Sequence, residues 1–183
     1  MKKNLLTFAL LFLFVQLFAQ QKRSIDALVG LGITAPSENI DVFGQGFYLQ
    51  GEYVYEISKW VDLRPYAGLI LTKTVEPDLE QYKDFKVSTN AFLLGGKVRL
   101  TLPIPWVAPY IELGIGASIG KFKTITNKYN IEDSGLTYHL PFSLGIKLGK
   151  NHQTDLAFTY YIHENKQQFA GALAIGFSIP LKK

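Results

Sequence analysis

Beyond residue 20 the chain alternates between oily and polar positions. In the stretch 47–57, FYLQGEYVYEI, the odd positions hold Phe47, Leu49, Gly51, Tyr53, Tyr55 and Ile57, and the even ones include Tyr48, Gln50, Glu52 and Glu56. A period of two is that of a strand with one oily and one charged face. The same period recurs along the chain with no competing 3.6-residue pattern. It predicts eight strands, over residues 24–34, 46–58, 61–74, 88–102, 107–121, 136–148, 154–163 and 169–181. All are longer than the five or six residues usual in a soluble sheet. Strands of about 10 residues, tilted near 45°, are what a bilayer crossing requires.

The connections alternate too. The second, fourth and sixth are short: Lys59-Trp60 with its neighbours, residues 103–106 and residues 149–153. The first, third and fifth are longer and polar, over residues 35–45, 75–87 and 122–135, and the seventh, 164–168, is brief. An exported chain with an even strand count would place the short turns on the periplasmic side, with both termini, and the longer loops outside.

Parity separates two sets of side chains. One face carries Val29, Leu31, Leu69, Leu71, Phe92, Leu94, Leu113, Ile115, Leu144, Phe158 and Phe177 among many others, and almost no charge. The opposite face carries Asp26, Glu52, Glu56, Arg64, Lys97, Arg99, Glu112, Lys147 and Asp155 among Gly, Ala, Ser, Thr and Tyr. The interior of eight strands is only just filled by side chains, so the large apolar set does not fit inside a soluble barrel. Facing lipid, it forms a continuous apolar band, and the polar, Gly-rich set fills the lumen. The expected fold is all-β: an eight-stranded, antiparallel, up-and-down transmembrane barrel.

The N-terminus, MKKNLLTFALLFLFVQLFAQ, has Lys2 and Lys3 before an apolar run and small Ala19 at a cleavage position. It is expected to be a signal peptide over residues 1–19, too short an apolar run for a spanning helix, with the barrel over residues 20–183. Without Lys2 and Lys3 the net charge of +4 falls to +2, which advertises no nucleic-acid partner. The absence of cysteine means that an exported chain takes its stability from hydrogen bonding and apolar contacts rather than from disulfides.

Trp60 and Trp106 fall in short turns, and Phe47, Phe92, Tyr138 and Tyr160 near the other ends of their strands, as interfacial aromatic girdles would. On this pattern the chain resembles the eight-stranded outer-membrane barrels of Gram-negative bacteria, the OmpA-like and OmpX-like group, along the whole of residues 20–183. The resemblance implies a location in the cell outer membrane, contact with outer-membrane lipid and recognition by the barrel-assembly machinery. Such barrels usually finish on an aromatic residue, whereas this chain ends GFSIPLKK with Phe177 its last.

Hairpin geometry then suggests lumen ion pairs. A turn centred on Trp60 sets Glu56 opposite Arg64, the next short turn sets Lys97 opposite Glu112 and Arg99 opposite Tyr110, and the third sets Lys147 opposite Asp155. Cross-strand pairs of opposite charge are stabilising, and an unpaired charge in a confined lumen is costly. A salt-bridged lower half would plug the barrel. In the outer half, inward Ile70, Leu93, Ser118, Ala172 and Ala174, with His139 and His163 at the rim, are either covered by Tyr48 and Tyr161 or line a small pocket for a hydrophobic ligand.

Other motifs carry little. GIGASIG, residues 114–120, is spaced G-x-G-x-x-x-G with no helix behind it, so its small residues are read as lumen lining and not as a dinucleotide loop. His139 and His163 become cross-strand neighbours, but two histidines make a weak metal site. Some barrels of the resembled group are lipid-modifying enzymes with a rim His and Ser, which draws notice to His139, Ser143 and His163. No nucleophile, base and orienting acid converge there. The expectation is a non-enzymatic barrel with no metal or cofactor, acting structurally or through loops 36–43, 76–85 and 123–133 on an extracellular partner. A barrel that binds or passes a hydrophobic ligand is the alternative, and a lipid-modifying enzyme the third.

Overall fold

A computed structural model describes residues 23–181; the segment expected to be a signal peptide lies outside them. Eight antiparallel strands close into one barrel in chain order: β1 (Arg23–Pro36), β2 (Gly44–Glu56), β3 (Val61–Thr74), β4 (Lys86–Thr101), β5 (Val107–Ile125), β6 (Asn130–Leu148), β7 (Thr154–His163) and β8 (Gln168–Pro180). Closure is made by β8 on β1, from Ser24 opposite Pro180 to Pro36 opposite Gln168.

The two faces divide as the alternation requires. Leu113, Ile115 and Phe177 are 61%, 67% and 57% exposed, while Arg64 and Arg99 are 0% and Lys97 1% exposed. In a water-soluble protein this distribution would be upside down. Hydrocarbon selects it: the exterior offers lipid an apolar band, and most of the buried polar side-chain atoms find hydrogen-bond partners inside, with Arg99 Nη2, Thr137 Oγ1 and His163 Nδ1 the exceptions among the described residues.

One end of the barrel carries the short turns. Ile57 and Ser58 both donate backbone N–H to Val61 O at 3.0 Å, closing the β2–β3 turn tightly. The left-handed backbone at Trp106 (φ 69°), Gly149 (φ 91°) and His152 (φ 50°) reverses the other two. Neighbouring turns are stitched together, Thr101 N to Trp60 O and Gly149 N to Trp106 O, each 2.9 Å. The described chain ends meet there as well, with Leu181 N donating to Arg23 O at 2.9 Å.

Three details of the sequence reading are corrected. The segment 122–135 is not a loop: β5 runs to Ile125 and β6 begins at Asn130, so only residues 126–129 turn. Above the hydrocarbon the outward face no longer has to be oily, so Lys121, Lys123, Glu132 and Ser134 hid the strand signal. Secondly, Glu56 stands opposite Asp62 and not Arg64, because the tight turn is centred one residue before Trp60. Thirdly, Arg99 stands opposite Glu112 and Lys97 opposite Gly114; Pro105 and the left-handed Trp106 push that turn's centre one residue further along. Both slips are of two residues, which leaves every side chain on its face. Lys147 does stand opposite Asp155.

Candidate functional site

The most developed chemistry lies in the lumen near the short-turn end. Four carboxylates, Asp26, Glu52, Glu112 and Asp155, meet four cations, Arg64, Lys97, Arg99 and Lys147. Arg64 donates from Nε to Glu52 Oε2 at 2.7 Å, from Nη2 to Asp26, and from Nη1 to Asp62 at 3.5 Å. Lys97 Nζ bridges Glu52 Oε1 (2.5 Å) and Glu112 Oε2 (2.6 Å). Arg99 donates from Nε to Glu112 Oε1 (2.5 Å) and from Nη1 to Asp155 Oδ2 (2.9 Å), with its guanidinium 3.5 Å above the centre of the Tyr110 ring. Tyr110 completes Asp155 at 2.6 Å, and Lys147 Nζ reaches Asp26 (3.1 Å) and Ser178 Oγ (3.0 Å). All eight strands contribute a side chain. Apart from Asp62, which touches Arg64 at 3.5 Å from the edge, the charges cancel within the network, the condition for ions to be tolerated at such burial.

Of the sequence-expected pairs, Lys97 and Glu112 are bonded, along a diagonal rather than across the ladder. Arg64 binds Asp26 and Glu52, and Glu56 lies in the short-turn vestibule beside Asp62 and Lys147. Although Lys147 and Asp155 face each other in register, Lys147 turns to Asp26 and Asp155 to Arg99 and Tyr110. Hairpin reasoning missed Asp26 and Glu52, which hold the network together. Their inward parity was legible, and Glu52 meets Arg64 within the β2–β3 hairpin, but Asp26 meets Arg64 and Lys147, and Glu52 meets Lys97, across strands that are not neighbours, where no hairpin rule reaches.

Above the ions lies a second, mostly uncharged layer. Gln50 donates to Glu52 Oε1 (2.7 Å) and accepts from the Tyr161 hydroxyl (2.6 Å), which meets the Tyr48 hydroxyl at 2.8 Å. Ser118 Oγ lies 2.7 Å from His139 Nδ1 and 2.8 Å from His163 Nε2, and His139 Nε2 lies 2.5 Å from the Tyr66 hydroxyl. The donors run in one sense along this chain, either from Tyr66 through His139 and Ser118 to His163 or the reverse, and the tautomers of the two rings set which. Gly116 gives it room, since a Cβ there would lie 2.4 Å from both His139 Nε2 and the Tyr66 hydroxyl. That space is the physical role of the glycine inside GIGASIG.

Ile70, Leu93, Ala172 and Ala174 are buried in one cluster with Tyr48, Tyr66 and Tyr161, and Ser118, His139 and His163 are equally buried. The serine brought to the histidines is Ser118 and not Ser143, which bonds Thr159 at 3.0 Å. A serine between two imidazoles has the parts of an activated nucleophile, but no carboxylate is bonded to either ring and Ser118 is fully buried. Among the described residues no three His, Cys, Asp or Glu side chains are grouped to hold a metal ion. Trp60 and Trp106 stand 55% and 62% exposed at the short-turn end.

At the other end, β4, β5 and β6 rise above the rest of the wall, paired up to Lys86–Ile125 and Ile125–Asn130. The two sides of this raised sheet differ. On the β4 side, Thr74 Oγ1 donates to Val87 O and accepts from Val87 N, both 3.0 Å, and Thr72 Oγ1 does the same for Thr89 at 3.2 and 2.8 Å. A small apolar cluster of Val42, Phe85 and Val87, with Ile40 and Tyr82, packs beside them. On the β6 side, the β7 ladder begins at Leu140 opposite Ile162, so it gives residues 130–138 no partner strand.

No protein-family model matches the sequence. No curated protein matches it either. Solved structures match over nearly the full chain. Neisserial surface protein A shares 13% identity at a TM-score of 0.58, covering 86% of this chain and 96% of that one. Ail, the attachment invasion locus protein of Yersinia pestis, shares 14% at 0.52, covering 88% and 99%. The N-terminal β-barrel domain of Pseudomonas aeruginosa OprF shares 13% at 0.50, covering 87% and 100%. The fold is that of the eight-stranded bacterial outer-membrane barrels. With its apolar exterior and ionic interior, the chain is an integral β-barrel of the outer membrane.

Proposed function

We propose that this barrel is a non-conducting, non-enzymatic docking protein that binds an extended segment of an extracellular polypeptide along the raised edge of β6. The observation that carries this reading is the unequal treatment of the two sides of the β4–β5–β6 sheet. Thr72 and Thr74 satisfy the backbone of β4, while residues 130–138 of β6, paired with β5 on one side, have no partner strand on the β7 side. Such an edge is a template for an added strand, which gains main-chain hydrogen bonds at once and specificity from alternate side chains. Ion pairing across the lumen supports the non-conducting part, because Asp26, Glu52, Gln50 and Tyr48 are buried and bonded to side chains from other strands.

The test is selection of displayed random peptides against the barrel in lipid nanodiscs, followed by hydrogen exchange of the complex. Selected peptides are expected to slow exchange in residues 130–138 and to lose binding when the 123–133 hairpin is shortened to a tight turn. Protection confined to the loops at 37–43 or 76–85, or binding indifferent to the shortened hairpin, would refute the assignment.

A further inference from the structure

Where the apolar exterior ends on the loop side, the wall changes character in one step. Phe92, Ile119 and Leu136 stand side by side in register and face lipid. The next outward positions, two residues or about 7 Å further up the strands, are Asn90, Lys121 and Ser134, and those after them Ser88, Lys123 and Glu132. Lys73 takes the same step on β3, as the next outward residue after Leu71. Asn90, Lys121, Ser134, Ser88, Lys123 and Glu132 line a surface groove of about 360 Å³ that also takes in Phe122 and Asp133. Both acids in the groove are already occupied, Glu132 by Lys123 at 3.0 Å and Asp133 by Lys166. Lys121 is exposed and has no ion pair among the described residues.

We infer that this groove binds the phosphate of an outer-leaflet lipid headgroup, with Lys121 as its principal cation. The floor of the groove continues directly into the apolar band, so a lipid whose chains lie on Phe92, Ile119 and Leu136 carries its phosphate to the height of Lys121. Lys123, Asn90, Ser88 and Ser134 add donors around that point, as a tetrahedral oxyanion needs. A free phosphate meets the same donors while fully hydrated and gains little from them in water. A lipid phosphate is held at the surface by its chains, where each lysine strengthens attraction about five-fold. This site lies on the outward face of the raised sheet, separate from the β6 edge, and does not depend on peptide docking there.

Native mass spectrometry of the full barrel, released from detergent micelles carrying diphosphoryl lipid A, its dephosphorylated form or inorganic phosphate, tests it. The wild type is expected to retain diphosphoryl lipid A and to lose it about 30-fold more readily as Lys121→Ala/Lys123→Ala; Lys121→Arg retains it, and a Lys59→Ala/Lys150→Ala control at the short-turn end is unaffected. Folding of each variant is read from its heat-dependent gel shift. Equal retention of the dephosphorylated lipid by the wild type, which needs no variant, would overturn the inference. So would unchanged retention by the folded double variant, or full displacement of the lipid by millimolar inorganic phosphate.

Discussion

Glu52 is the most informative residue to perturb. Its carboxylate takes Arg64 Nε at 2.7 Å, Lys97 Nζ at 2.5 Å and Gln50 Nε2 at 2.7 Å, with Arg99 Nη2 3.9 Å away. Glu52→Gln keeps the shape but turns a balanced set of four acids and four bases into one with a surplus cation. Removing one partner from a buried ionic group costs about 3–5 kcal/mol, because the charge left behind cannot return to water. Asp62→Asn provides the scale: it removes a contact of 3.5 Å with Arg64 at the edge of the network, and should cost under about 1 kcal/mol. Urea unfolding of the barrel from lipid, followed by the fluorescence of Trp60 and Trp106, measures both. Adding Lys97→Met to Glu52→Gln restores the charge balance and should recover about 1.5 kcal/mol or more in a double-mutant cycle. If Glu52→Gln costs no more than Asp62→Asn, or if the second substitution adds its full cost, the network is not a charge-balanced unit and the reasoning fails.

Three further outcomes are expected. Gly116→Ala forces a Cβ to within 2.4 Å of Tyr66 and His139, so it should destabilise by about 1–3 kcal/mol in the same unfolding assay, and Tyr66→Phe should not remove the clash with the imidazole. Leu113→Arg, at mid-height on the lipid face, should cost about 2–4 kcal/mol and Val107→Arg, near the short turns, under about 1 kcal/mol; equal costs, or a folded monomer in buffer without detergent, would count against a lipid-facing exterior. In planar bilayers the wild type should pass no steady single-channel current, whereas Arg64→Ala/Lys97→Ala/Arg99→Ala, if it folds, should; a conducting wild type would sink the plugged-lumen reading.

The sequence alone decided how many strands there are and which way each side chain faces. Alternation is a local property, and in hydrocarbon it admits one solution, since the large apolar set of Leu113, Ile115, Phe177 and their kin cannot fit within eight strands. The short turns were legible for the same reason, because Trp60, Pro105 and Gly149 punctuate the pattern. The raised hairpin was not, since Lys121, Lys123 and Glu132 stand in water, where no oily face marks a strand. Nor were the partners of the ions. Asp26 meets Arg64 and Lys147 across 38 and 121 residues of chain, and Ser118 meets His163 across 45. Those meetings depend on the tilt and stagger with which the sheet closes on itself, a property of all eight strands together and of no single hairpin.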